Sequence, residues 1–200
     1  MEILKPMPFL AKEDNTNQEF QSQMEQLKQC ILAENFDNAK LLLSSTILPP
    51  SCNPDYLIFY LIKIHVCSKF EEYEELEDSL YNLFHPDDGN NVIFRLNEAI
   101  YNDNWDLLDE LIKFITPVLT FFQNEHRGLF LVYKLIVDYQ LHPSTDRSRT
   151  LLDLGNLEIY DPFELSCFYI RVCDITDFYM EEENFYCELM RAINCVRYNP

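Results

Sequence analysis

Apolar residues recur at helical spacing along almost the whole chain, interrupted at short intervals by polar turns or prolines. From Asn17, the residues Met24, Leu27 and Ile31 mark one helix face. After AENFDN, Ala39, Leu42, Leu43, Thr46 and Ile47 mark a second, which stops at Pro49-Pro50. Leu57, Tyr60, Leu61 and Ile64 follow, then a polar turn at SKFEE, then Tyr73, Leu76, Leu80 and Leu83 up to His85-Pro86. Each set has the i, i+3, i+4, i+7 spacing of a helix stripe, and no clean period-2 stretch competes. Only 3 glycines are present, too few for many tight hairpins or for Gly-rich phosphate loops.

The spacing predicts an all-α chain with helices over 17–33, 37–48, 55–68, 72–84, 91–101, 105–119, 125–141, 162–178 and 182–197. Pro117 bends or terminates the sixth. A shorter helix, polar at first, ends at Gly155, and Asp161-Pro162 is a good N-cap and first-turn pair for the next. Residues 160–200 read as helix only. Ten helices in five antiparallel pairs is the resulting organisation, with residues 1–16 as a flexible N-terminal segment and 17–200 as a single helical-repeat domain.

The turns share a pattern. Phe36 follows AEN, Phe70 follows CSK and Trp105 follows NDN, at spacings of 34 and 35 residues. Three residues after each come Ala39, Tyr73 and Leu108, read as the inner stripe of the second helix, and Phe185 fits the same place further on. A period near 34 built from helix-turn-helix units resembles the tetratricopeptide repeat. That resemblance covers roughly residues 17–120 closely and 125–198 loosely. It implies hairpins stacked as a right-handed superhelix, with each aromatic, Trp105 included, plugging the gap at its turn. One departure is clear. The family sets a small residue in the first helix against an alanine in the second, whereas Leu27, Leu61 and Leu96 stand here and only Ala39 keeps the small partner. The lysine, arginine and asparagine with which some family members hold acidic chaperone tails are replaced by Glu25, Ile58 and Ile93, so that clamp is absent.

Charge narrows the partners. The chain has 15 basic against 34 acidic residues, a formal −19, which repels nucleic-acid phosphate and anionic membrane alike. No segment approaches the 18 or so uninterrupted apolar residues of a membrane span. Seven cysteines, odd in number and without a CxxC pair, read as reduced, buried thiols of the cytoplasm or nucleus. The run EEYEELED (71–78) reads as a solvated outer helix face, with Tyr73, Leu76 and Leu80 turned inward. HPDDGNN lacks the Asp/Asn spacing of a calcium loop, the histidines are scattered, and no metal signature, P-loop or nucleophile motif occurs.

These features describe a non-catalytic protein-interaction scaffold, without cofactor or metal, that is a subunit of a larger complex. The acidic residues Glu71, Glu72, Glu74, Glu75, Asp103, Asp106, Glu181 and Glu182 form a candidate edge for one or more protein partners, including one with a basic segment. Abundant tyrosine and phenylalanine, 12 and 15, supply the anchors. Two rivals stand beside it. One is a small subunit like those of the proteasome lid, COP9 signalosome or translation-initiation complexes, lacking a winged helix. The other is a small-molecule or lipid carrier with an aromatic-lined cavity.

Overall fold

The computed structural model describes residues 10–46, 55–86, 91–176 and 183–199, with side chains from residue 18 onward and without those of 183 and 184. Ten α-helices account for nearly all of it: α1 Leu10–Leu32, α2 Phe36–Ser45, α3 Asp55–Phe70, α4 Tyr73–Phe84, α5 Val92–Tyr101, α6 Trp105–Ile115, α7 Asn124–Gln140, α8 Ser148–Gly155, α9 Pro162–Thr176 and α10 Glu183–Ile193. The chain is all-α, as the periodicity predicts. Three boundaries differ for local reasons. Residues 10–16, placed in the flexible segment, are helical, because LAKEDNT holds no breaker after Pro8. α6 stops at Ile115 and passes into a 3-10 turn over Thr116–Phe121, with Pro117 near its start, where a proline needs no helical N–H. The stretch 160–200 is not helix only: α10 stops at Ile193, short of the predicted 197, and β2 (Arg197–Tyr198) pairs in parallel with β1 (Glu158–Ile159). The ends of the predicted helices at 47–48, 177–178 and 182 lie outside the described residues.

Packing gathers the chain into two compact units, Met1–Arg95 and Leu96–Pro200. The sequence reading treats 17–200 as one domain; the boundary falls inside α5, where no change of composition marks it. In the first unit α1 packs on α2 and α3, α2 on α3, and α3 on α4. α3 is the centre. Leu57, Ile58, Phe59, Tyr60, Leu61, Ile62, Ile64, Val66 and Cys67 are all buried, so its apolar residues run round the helix rather than along one stripe. Phe20, Met24, Leu27 and Ile31 of α1, with Ala39 of α2 and Leu76 and Leu83 of α4, cover it.

The second unit repeats this plan around α7, which packs on α6, α8, α9, α10 and β1. From Gly128 to Val137 only Lys134 escapes full burial. Gly128 is where α9 comes closest: a Cβ there would stand 2.7 Å from the Phe168 ring and 3.1 Å from Leu157. Tyr133, wholly buried, donates from its hydroxyl to Asn97 Oδ1 at 2.6 Å, and burial pushes its phenol above the usual range. At the two ends of α7 sit buried carboxylates. Asp138 accepts from Lys134 Nζ at 2.6 Å, and Glu125 accepts from Arg171 Nη1 of α9 at 3.0 Å.

Three hairpins close by one turn. α1 to α2, α3 to α4, and α5 to α6 are joined through Glu34, Glu71 and Asp103, each with φ between 52° and 58°, the left-handed region. Each next residue bonds back to a carbonyl five residues earlier: Asn35 N to Cys30 O, Glu72 N to Cys67 O, Asn104 N to Ala99 O, at 2.8, 3.0 and 2.8 Å. This is the Schellman closure of one helix. The same residue is the N-cap of the next, at φ near −89° and ψ near 72° in all three. Its carbonyl accepts from Ala39, Leu76 or Leu108, each at 3.1 Å and each buried.

Glycine is ordinarily preferred at the left-handed position, which costs an L-residue roughly 1–2 kcal/mol against about 0.5–1 kcal/mol of extra chain entropy for glycine. Glu34→Gly, Glu71→Gly and Asp103→Gly should therefore leave stability unchanged or raise it by up to about 1 kcal/mol each, read from urea midpoints. A loss of more than about 1 kcal/mol at any of the three would contradict the turn geometry.

Glu125 generates a pH prediction. Burial raises its carboxyl above the usual range, with Arg171 pulling it down and Glu164 pushing it up. A raised folded pKa means the native state holds this proton more tightly than the unfolded chain. The stabilisation is therefore present in acid and is lost as pH rises from about 4.5 through the folded value. Glu125→Gln should be at least as stable as wild type at pH 7, since the Arg171 side chain is 44% exposed and keeps its water. That advantage should shrink as pH falls toward about 4.5. Urea melts across this range check both statements, and a clear loss at pH 7 would mean the ion pair is net stabilising.

Candidate partner-binding surface

The turns determine where the predicted repeat residues stand. Phe36 and Trp105 each open a second helix, but Phe70 is the last residue of α3, and the residue in the equivalent place is Tyr73. The inner residue three further on is then Leu76, not Tyr73. Tyr73 is 62% exposed while Leu76, Ala39 and Leu108 are buried, so the second unit of the repeat shifts by three residues. Trp105 is half-buried, not a sealed plug. Phe36 is half-buried as well, with its ring edge-on to His65 of α3 at 5.1 Å and Lys69 Nζ 5.3 Å above it. Phe185 is buried on α10 and stacks on Tyr139 at 4.3 Å. Leu27, Leu61 and Leu96 are wholly buried.

Next to Phe36 a cation holds three elements together. Lys40 of α2 lies 4.4 Å above the Phe70 ring and pairs with the Glu72 carboxylate at the start of α4. Glu72 is thereby an internal partner and not part of an open edge. Within the same cluster, burial pushes the His65 imidazole down, the Lys69 charge acts in the same direction and Glu34 opposes it. Burial likewise raises the Cys67 thiol.

The outer face of α4 is different in kind. Tyr73, Glu77 and Tyr81 follow one another at i+4, with Glu74 and Asp78 in the adjacent row. Tyr73 and Tyr81 are 62% and 64% exposed, and all three carboxylates are exposed with no ion-pair partner among the described residues. Tyr81 is held in place by His85, whose ring stacks on it at 4.6 Å with an 18° tilt. The signal for this face was an i+4 ladder, Tyr73–Glu77–Tyr81–His85. Reading Tyr73 as an inner-stripe residue concealed it.

The remaining acidic positions fall in separate places. Glu71, Glu74 and Glu75 belong to the first unit, and Asp103 and Asp106 to the second, where both are exposed. Glu181 and Glu182 lie outside the described residues. The thiols are not uniformly buried. Cys67 is, Cys30 and Cys167 are half-buried, and Cys173, Cys187 and Cys195 are exposed, since they fall on the outer faces or end of α9 and α10. No group of three or more His, Cys, Asp or Glu gathers as a metal site among the described residues, and no described helix is long and apolar enough to cross a membrane. No family model, curated protein or solved structure matches the chain.

The Lys40 latch can be tested directly. Lys40→Met removes both the cation over Phe70 and the partner of Glu72, and should lower stability by about 1 kcal/mol, the sum of a cation–π contact and a partly exposed ion pair. An unchanged urea midpoint would mean that neither contact contributes.

Proposed function

We propose that this chain is a non-catalytic helical-hairpin scaffold, a subunit of a larger assembly in the cytosol or nucleus, whose α4 face receives a basic segment of a protein partner. The observation that carries this reading is the α4 face: two exposed tyrosines flanked by three carboxylates with no ion-pair partner among the described residues. Tyrosine offers a large, stiff contact area and a π-face for a cation, and carboxylates beside it favour lysine or arginine over any anion. Exposed aromatic patches on a small chain mark interaction surfaces.

The resemblance to tetratricopeptide repeats supports the scaffold part. In the first unit α1 and α2 pack on each other and both pack on α3 of the next hairpin, the neighbour pattern of stacked hairpins. The same turn also recurs three times. Exposed thiols at Cys173, Cys187 and Cys195 suit a reducing compartment.

The test is co-purification of the full chain with stoichiometric partners, followed by titration of the partner so identified. Tyr73→Ser with Tyr81→Ser should weaken binding at least about tenfold and leave the melting temperature unchanged, since both rings are exposed. Glu74→Gln, Glu77→Gln and Asp78→Asn together, sparing Glu72 for its pairing with Lys40, should slow association. Affinity should fall as the Debye length shrinks from about 10 to about 3 Å. Affinity that is flat or rising with salt, or indifferent to the tyrosines, would reduce the α4 face to a solubility feature.

A further inference from the structure

Between α1 and α2 runs an open cleft of about 470 Å³, lined by Gln26, Gln29, Cys30 and Ala33 from α1 and its end, and by Asn35, Asn38, Leu41 and Leu42 from the start of α2. Its volume is that of a ligand site. Its chemistry is unusual for a surface this acidic: the lining holds no charged side chain and no aromatic ring. Four carboxamides line it together with Cys30, Ala33 and the two leucines.

Three of the four carboxamides are oriented by bonds they already make. Gln26 and Gln29 spend one N–H on Ser22 Oγ at 3.5 Å and on Glu25 Oε1 at 3.0 Å, which leaves the carbonyl oxygen and the second N–H of each open on the α1 wall. Asn35 Oδ1 accepts the Asn38 N–H at 3.3 Å as the helix cap, which leaves the Asn35 amino group as an open donor on the α2 side. The Asn38 carboxamide has no bond among the described residues. Both walls therefore present acceptors and donors together. Each edge of an extended polypeptide presents the complement, an N–H and a C=O from every second residue. A phosphate or carboxylate ligand would find no cation here, and a flat heterocycle no ring to stack on.

Charge narrows the occupant further. Glu25 continues the Gln29–Ala33 row by one turn, Asp37 precedes Leu41 by one turn, and Glu34 sits in the connecting turn; all three are exposed. The two lysines nearest in sequence are engaged away from the cleft, Lys28 with Asp55 of α3 at 2.8 Å and Lys40 with Glu72. We propose that the α1–α2 cleft is a second docking site, distinct from the α4 face, for an extended segment of a partner protein with small apolar side chains flanked by lysine or arginine. Backbone groups are read by the amides, the apolar side chains rest on Leu41 and Leu42, and the flanking cations meet Glu25, Glu34 and Asp37. The inference rests on the reading of this chain as a partner-binding scaffold, but it concerns a different surface.

The probe is the blocked peptide acetyl-Lys-Ala-Val-Ala-Lys-amide, titrated into the isotope-labelled full chain by NMR, with acetyl-Glu-Ala-Val-Ala-Glu-amide as control. The side-chain amides of Gln26, Gln29 and Asn38 and the backbone amides of Ala33, Leu41 and Leu42 should shift saturably with the basic peptide. Gln26→Ala, Gln29→Ala and Asn38→Ala together, which spare the Asn35 cap, should weaken this by about tenfold. Tyr73→Ser with Tyr81→Ser should leave it unchanged, so that failure of the α4 reading and failure of this one stay separable. Shifts confined to α4, no saturable shift, or equal response to the acidic peptide would each overturn the assignment.

Discussion

A helix that ends leaves carbonyls without partners, and a helix that begins leaves amides without partners. When both events occur within three residues, the connecting backbone must answer both sets in almost no space. Here the left-handed residue lets the following N–H turn back to the carbonyl five residues earlier, and that following residue then caps the next helix. Because the turn is so short, its geometry dictates where the next helix starts and which residue first faces inward: Ala39, Leu76 and Leu108. The aromatic opening each second helix is set by the same constraint. Its exposure then depends on what lies beside it, half-buried for Phe36 and Trp105 and open for Tyr73.

Burial concentrates where the hairpins meet. α3 and α7 are surrounded by neighbours within their own units, and their sequences, DYLIFYLIKIHVCSKF and NEHRGLFLVYKLIVDYQ, are apolar nearly all round. Burial on that scale leaves little room for polar groups, and those present are bonded with the exception, among the described residues, of Arg127 Nε. Tyr133 has Asn97, Glu125 has Arg171, and Asp138 has Lys134. Beside this core Asp109 of α6 takes bonds from Lys113 and His142. Burial works against its charged form, but those two bonds hold the carboxyl below the usual range.

Helix number and position were legible in the chain because amphipathic spacing and proline punctuation report directly on which residues must be buried. The register of the three turns was not. Phe36, Phe70 and Trp105 are evenly spaced, and even spacing is what an ideal repeat would show. The structural equivalents Phe36, Tyr73 and Trp105 are uneven because the segments between the turns differ in length. The informative signal was local: an acidic residue, then a capping residue, then an aromatic, as in Glu34-Asn35-Phe36, Glu71-Glu72-Tyr73 and Asp103-Asn104-Trp105. Glutamate and aspartate do not announce a left-handed backbone as glycine does. The strand pair at 158–159 and 197–198 was hidden for another reason, since two-residue strands carry no period at all. The α1–α2 cleft joins residues that are unremarkable in sequence, and only the hairpin brings their amides face to face.

Charge is apportioned unevenly between holding the fold and facing outward. Lys28, Lys40, Lys113, Lys134 and Arg171 are each spent on a carboxylate within the protein, and three of these pairs join different helices: Lys28 with Asp55, Lys40 with Glu72, and Arg171 with Glu125. With 34 acids against 15 bases, each such pair takes one charge of either sign, so the rest of the chain keeps the full −19 with fewer cations to offset it. Screening limits what that field can do, since beyond a Debye length of about 8 Å at physiological salt exposed charges hardly interact. Carboxylates alone would thus attract any basic molecule briefly and retain none. Retention requires contact area that excludes water, and the Tyr73–Tyr81 pair is where exposed aromatic area and unneutralised charge coincide on one helix. On the reading proposed above, the field would bring a basic segment near and the rings would determine whether it stays.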